Sequence, residues 1–175
     1  MKRYVLLAIV FFTLPRVATA GEKLLLYSDA TMTSSSISDD TPRIANFYVV
    51  NTDMTGQVGL RFSVKPGPGF TGVWLSDNSS YSTVGNTPTD ISVGYGLCLP
   101  GPVLVVTVSY QLFGTSSPCS ELRVAPADGF PVVVAASSGC FFIEVPILEI
   151  GRIDVNCPLA TEATTWGKVK SLYRQ

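Results

Sequence analysis

Histidine is absent from the chain. That removes Ser-His-Asp and Cys-His nucleophilic sites and every histidine-based metal centre. The sequence also lacks GxSxG, a Walker-type phosphate loop and GxGxxG. Its four cysteines are not in CxxC spacing, which argues against a zinc site. Charged residues make up only 14% of the chain, and no basic cluster stands out to meet a phosphate backbone. Nucleic acid is therefore a poor partner. Beyond the N-terminus, no stretch approaches the roughly 18 apolar residues of a membrane helix. Crossover helices are missing too, which excludes a parallel α/β sheet.

The N-terminus is the one long apolar run. Lys2 and Arg3 precede an apolar stretch from Tyr4 to Leu14, Pro15 breaks it, and Ala18-Thr19-Ala20 offers a small-x-small cleavage pattern. This predicts a secretory signal peptide over residues 1–20, too short to span a bilayer. An uncleaved N-terminal anchor is the competing expectation. Gly21, not cysteine, follows the predicted cut, which argues against a bacterial lipoprotein. Cleavage removes Lys2, Arg3 and Arg16 and leaves nine basic against thirteen acidic residues in 155. That is one mildly acidic, exported domain with no membrane span.

In an exported chain, Cys98, Cys119, Cys140 and Cys157 read as two disulfides. Three connectivities exist. Cys98 and Cys119 bracket an extended run, Val103 to Phe113, whose ends lie roughly 35 Å apart at ~3.3 Å per residue. A disulfide needs Cα atoms within about 7 Å. Cys119 and Cys140 bracket an apparent hairpin around Asp128-Gly129. The reading leans to Cys119–Cys140 with Cys98–Cys157, and the sequential pairing Cys98–Cys119 with Cys140–Cys157 stays open.

What remains is punctuated as an all-β protein. Short β-branched and aromatic runs alternate with Gly, Pro, Asn, Asp and Ser clusters. Strands are expected at 24–27, 44–51, 56–65, 70–75, 91–95, 103–113, 121–125, 131–136, 141–150 and 152–155. Polar loops are expected at 28–42 and 77–90. In Gly56–Lys65, Val58, Leu60, Phe62 and Val64 alternate with Gly59, Arg61, Ser63 and Lys65, giving one dry and one wet face. Val103–Phe113 is apolar enough for the centre of a sheet. The pattern predicts an antiparallel β-sandwich, jelly-roll or Ig-like, of about nine strands over residues 21–158. Residues 159–175 read as a polar linker and a short amphipathic helix. Trp166, Val169, Leu172 and Tyr173 form its stripe and Thr164 or Thr165 its cap.

Candidate chemistry is sparse. Asp39, Asp40, Asp77, Asp90, Glu144, Glu149 and Asp154 could supply carboxylate-only catalysis, but nothing in the spacing brings two together. Asp77, Asn78 and Asp90 could form a loop calcium site, though a polar turn is the simpler reading. Asn78-Ser79-Ser80 is a formal glycosylation sequon. Trp74, Tyr81 and Tyr95 fall near strand ends beside the 77–90 loop and are candidate sugar-stacking rings. The alternative is that Trp74 is core and Tyr81 a loop anchor. No catalytic residue, cofactor or metal is expected. The reading is a non-enzymatic binding or structural module for a glycan or a protein. Assembly or sorting through the C-terminal helix is the alternative, and a carboxylate-only hydrolase is a remote one. Oligomeric state is open.

Two resemblances add to this. The pieces FYVVNT (47–52), VGLRFSVKPGPGFTGVWL (58–75), ISVGYG (91–96) and PVLVVTVSYQLFG (102–114) resemble the cohesin and carbohydrate-binding-module type of jelly-roll sandwich. That resemblance implies a nine-stranded sandwich with a role in binding or assembly. Cohesins lack this cysteine set. The ending TWGKVKSLYR (165–174), with the YG-x-C element, is similar to a group of uncharacterised exported proteins of environmental Gram-negative bacteria. It implies a bacterial origin and export to the periplasm or beyond, which would leave the Asn78 sequon unused.

Overall fold

The computed structural model describes residues 22–52, 55–137, 140 and 143–158. The predicted signal peptide and the C-terminal helix with Trp166 lie outside the described residues.

The chain runs β1 (Lys23–Tyr27), β2 (Ser36–Ile37), β3 (Pro42–Thr52), β4 (Thr55–Pro66), β5 (Val73–Asn78) and β6 (Ser82–Asn86). It continues through β7 (Asp90–Pro100), β8 (Val103–Phe113), β9 (Ser120–Ala125), β10 (Val133–Ser137), β11 (Ile143–Ile147), β12 (Glu149–Ile150) and β13 (Arg152–Val155). One sheet has the order β12-β1-β3-β8-β5. The other has β4 at its centre, with the hairpin β6–β7 on one side. On its other side lie β9, leading to β13 and β2, and β10, leading to β11.

The inward faces of the two sheets share one core that includes Leu24, Phe47, Phe62, Ile91, Tyr110 and Leu122, these six each no more than 2% exposed. At roughly 25 cal/mol per Å² of apolar area, burying each large side chain contributes about 1.5–3 kcal/mol. Phe47 and Phe70 each meet Tyr110 edge-on, with ring centroids 5.9 and 5.6 Å apart. β8 lies between β3 and β5, as its apolar run predicts.

Four expectations need correcting. The 77–90 stretch is not a loop: β5 runs on to Asn78, and β6 forms a hairpin with β7. Its Ser/Thr content suits an exposed edge as well as a loop. The wet face of β4 is not wet throughout, because Ser63 and Gln57 are fully buried. The apparent hairpin around Asp128 is not one. β4 is twelve residues long, and β9 and β10 lie end to end along the same side of it, at Ser63–Pro66 and Gln57–Arg61 respectively. Cys119 and Cys140 therefore sit at the far ends of that row. Neither cysteine pairing considered from the sequence is found: the bridges are Cys98–Cys140 and Cys119–Cys157, with Cα atoms 5.4 and 4.3 Å apart. Antiparallel pairing of β9 with β13, Ser120 opposite Val155, delivers Cys119 to Cys157. β7 and β10 flank β4 at Gln57, opposite Leu99 and Ser137, and this delivers Cys98 to Cys140 across it.

Candidate functional site

The most irregular part of the described sheets is the pairing of β4 with β7. Gly59 lies opposite Gly94 and Gln57 opposite Leu99, so β7 spends three more residues than β4 between those partners. The surplus lies within the four-residue segment Tyr95-Gly96-Leu97-Cys98, which faces Val58 alone and forms an extended β-bulge. Bulges re-aim side chains at functional surfaces. Gly96 has φ +70°, a left-handed conformation that side chains resist, and it turns the strand. Tyr95 points into the core, at 6% exposure, while Leu97 points out at 69%.

The bulge is clamped from outside. The Cys98–Cys140 bridge passes over Gly56, which has φ +98°. A Cβ there would lie 3.0 Å from one sulfur and 3.1 Å from the other, so a side chain would crowd the bridge as well as strain the left-handed backbone. Val58, Gly94, Gly96, Leu97, Cys98 and Cys140 line a cleft of about 390 Å³. Its walls are an isopropyl group, an isobutyl group, glycine backbone and sulfur, a surface suited to an apolar side chain from a partner.

Beneath the bulge lies a buried polar cluster. The Asn51 amide donates to Gln57 Oε1, and both residues are fully buried. Among the described residues Asn51 Oδ1, Gln57 Nε2 and the Tyr95 hydroxyl find no hydrogen-bond partner in good geometry. Burial pushes the Tyr95 hydroxyl well above its ordinary pKa, and the neighbouring Asn51 only partly offsets this. Tyr95 stacks edge-on with Tyr81 at 4.8 Å.

The three sequence-predicted aromatic residues do not share an exposed face. Tyr95 is interior, and Tyr81 is half-buried against it. Trp74 sits on β5, in the other sheet, half-buried against the core with its indole N–H donated to Asp77 at 3.1 Å. The carboxylates are also dispersed. Asp77 accepts from Thr87 N at 2.7 Å and from its hydroxyl at 2.6 Å. Asp90 is paired bidentately with Arg61, and this partner lowers its pKa. Asp39 is held by Gly114 and Ser116, Glu149 pairs with Lys23 at 3.1 Å, and Asp154 pairs with Arg152 at 3.2 Å. Among the described residues no three of His, Cys, Asp and Glu are grouped to hold a metal. No helix there is long and apolar enough to cross a membrane.

Sequence reasoning missed Leu97, Val58 and Gly56 as site residues. The available signal was Gly96 inside an otherwise continuous strand, two residues before Cys98-Leu99-Pro100, which marks a bulge rather than a strand end.

No protein-family model and no curated protein matches this chain. Solved structures do. A type II cohesin domain from the cellulosome of Acetivibrio cellulolyticus is 11% identical, with a TM-score of 0.55 over 78% of this chain and 95% of that one. A cohesin module from a family 33 glycoside hydrolase of Clostridium perfringens is 9% identical, with a TM-score of 0.54 over 79% and 98%. The third cohesin of ScaC from Acetivibrio cellulolyticus, solved in complex with the ScaB dockerin, is 12% identical, with a TM-score of 0.51 over 77% and 98%. At these identities the likeness is one of architecture, and the chain has a cohesin-like β-sandwich fold.

Proposed function

We propose that this is a non-enzymatic, exported protein-binding module that grips its partner at the β7 bulge. The observation that carries the reading is Leu97, held 69% exposed beside a cleft of about 390 Å³ by a disulfide-clamped bulge. A large apolar side chain in a preorganised loop costs little entropy to dock, which is how an interface anchor works. Cohesin-like architecture supports a protein partner, since one structural neighbour was solved holding a dockerin. Its disulfides suit an oxidising compartment, periplasmic or extracellular. A glycan ligand has less support, because Trp74, Tyr81 and Tyr95 offer no common stacking platform.

A photo-crosslinking residue at position 97 tests this, with a second at Val73 on the opposite sheet as reference. The expected result is one partner protein captured from position 97 and not from 73. Loss of that capture on Cys98→Ser/Cys140→Ser substitution would tie it to the clamped bulge. Binding on a glycan array that Trp74→Ala abolishes would overturn the reading in favour of sugar.

One observation favours a second role, assembly through residues 159–175. Pro158, the residue before that segment, lines a groove of about 620 Å³ together with Ile37, Pro118, Asn156 and Cys157. Deleting residues 159–175 should abolish surface assembly while leaving the fold intact if that role holds.

A further inference from the structure

The outer face of the β12-β1-β3-β8-β5 sheet lies on the other side of the sandwich from the β7 bulge. Strand alternation fixes which side chains reach it. Leu26 of β1, Phe47 and Val49 of β3, and Val106 and Val108 of β8 are buried in the core, so their neighbours Tyr27, Tyr48 and Thr107 point outward. The register sets these in one row across four strands: Tyr27 opposite Tyr48, Tyr48 opposite Thr107, and Thr107 opposite Asn78. Directly opposed residues have Cβ atoms about 4.5–5.5 Å apart, so the two tyrosines are neighbours on the surface. A second row, Asn46–Ser109–Ser76, lies beside the first, and the Ser109 hydroxyl donates to Asn46 Oδ1 at 2.8 Å. A third row, Ile44–Gln111–Val73, closes the far side.

The first row ends in a notch. β8 carries an extra residue at Val105, between Val106 opposite Val49 and Leu104 opposite Val50. β5 ends at Asn78, and the Ser79 hydroxyl donates to Val105 O at 2.6 Å, which ties the departing turn to the β8 bulge. Asn78, Ser79, Ser80, Leu104 and Thr107 are among the walls of a cavity of about 170 Å³ there, a space on the scale of a single sugar ring.

We propose that this face binds a neutral oligosaccharide, with Tyr27 and Tyr48 as its stacking platform and the Asn78 notch holding one sugar unit. Three observations select a sugar. No residue of the three rows is charged. At the borders Lys23 is paired with Glu149, and Asp29 is taken up by Thr31, Thr33 and Ser34, so nothing favours an ionic ligand. Asn46, Ser109 and Thr107 put amide and hydroxyl groups in the middle of the face, with apolar side chains at its margins. That is the reverse of a protein interface, whose apolar core sits inside a polar rim. A pyranose ring presents an apolar C–H face together with equatorial hydroxyls, and tyrosine faces beside hydroxyl and amide groups meet both. Neither tyrosine is among the rings singled out from the sequence. A glycan here and a protein partner at Leu97 share no residue.

The test is calorimetric titration of the oxidised full chain with neutral oligosaccharides of glucose, mannose, xylose and galactose, and with oligogalacturonate as the acidic control. Saturable binding to at least one neutral series is expected, and none to the acid. Tyr48→Ala should weaken binding about tenfold and Tyr48→Phe less than about twofold, because the ring face and not the hydroxyl stacks. Ser80→Trp fills the notch from an exposed position and should weaken binding with both tyrosines in place. Tyr27→Ala and Ser80→Trp read the same site if Tyr48→Ala lowers the urea midpoint. Leu97→Asp should leave the sugar affinity unchanged. Failure of every neutral series to bind overturns the proposal, as does binding that Tyr48→Ala and Ser80→Trp both leave intact. So does a signal lost with Trp74→Ala but kept by Tyr27→Ala and Tyr48→Ala.

Discussion

The two ends of β3 differ in how their buried carboxylate and amide side chains are met, although Ser120 Oγ beside Cys119 also lacks a partner among the described residues. At its N-terminal end Asp39, 2% exposed, is fully occupied. Its carboxylate accepts from Gly114 N at 2.8 Å and Ser116 N at 3.1 Å. Asn156 stitches the same site from the other sheet, accepting from Asp39 N at 2.6 Å and donating to Ser116 O at 2.8 Å. The Cys119–Cys157 bridge sits beside it, and Cys119 and Asn156 hold left-handed φ values of 56° and 55°. At the C-terminal end, under the bulge, Asn51, Gln57 and Tyr95 leave three polar atoms without a well-placed partner among the described residues. A satisfied network rigidifies, whereas a half-satisfied one stores free energy that a local rearrangement releases. The first end is an anchor. The second is where the molecule keeps its exposed Leu97 and its cleft, as the proposed binding role expects of the less stable part of a fold.

Disulfide removal gives the largest test of that contrast. The bridges close loops of 42 and 38 residues, so chain entropy alone assigns each about 4 kcal/mol. We expect Cys119→Ala/Cys157→Ala to exceed Cys98→Ala/Cys140→Ala in the shift of the urea midpoint, because the former also frees the Asn156 turn and its bonds to Asp39. Equal shifts would dissolve the distinction between anchor and binding end.

Asp39→Ala comes next. It leaves buried amides of Gly114 and Ser116 without an acceptor, at a cost of about 3 kcal/mol. Burial pushes this carboxyl up, but hydrogen bonds from Ser116, Gly114 and Thr115 outweigh it and hold its pKa below the ordinary value. A depressed folded pKa means the contribution is complete above the unfolded value of about 3.9 and is lost as pH falls through the folded one. Wild-type stability should therefore drop below about pH 4, with Asp39→Asn showing a flatter acid limb in pH-dependent urea titrations.

The same surgery at the other end should do far less. Asn51→Leu with Gln57→Leu removes both members of a pair that already leaves Asn51 Oδ1 and Gln57 Nε2 unsatisfied. Replacing both partners by apolar groups of similar size is close to neutral, so we expect a change within about 1 kcal/mol of either sign. A loss near that of Asp39→Ala would mean the cluster is satisfied in solution and the contrast false.

The anchor's strands were more legible in sequence than its network. Arg152–Val155 has the predicted bounds, and the apolar run of Val103–Phe113 announces a central strand. Asp39, by contrast, reads as one more polar loop residue, because its partners are backbone amides 75 and 77 residues away. The disulfides were misread for a related reason. Pro126-Ala127-Asp128-Gly129 has hairpin composition, and no local signal says that β4 is long enough to take β9 and β10 in succession. The bulge was hidden because Tyr95-Gly96 resembles a strand end. Only the register against β4 shows the strand resuming beyond it.

Leu97→Asp should have the smallest effect on stability and the largest on binding. At 69% exposure the side chain contributes little to the core, and substitutions at such positions usually stay within about 0.5 kcal/mol. The bridge over Gly56 holds the bulge backbone whatever stands at position 97. A charge there would enter a cleft walled by Val58 and sulfur, none of whose described lining residues is basic, so a partner's apolar anchor would meet an unpaired carboxylate. Loss of partner capture with an unchanged urea midpoint would separate recognition from folding at this end of the sandwich. At the Asp39 end the two cannot be separated, since each group that could be changed there also holds the strands together.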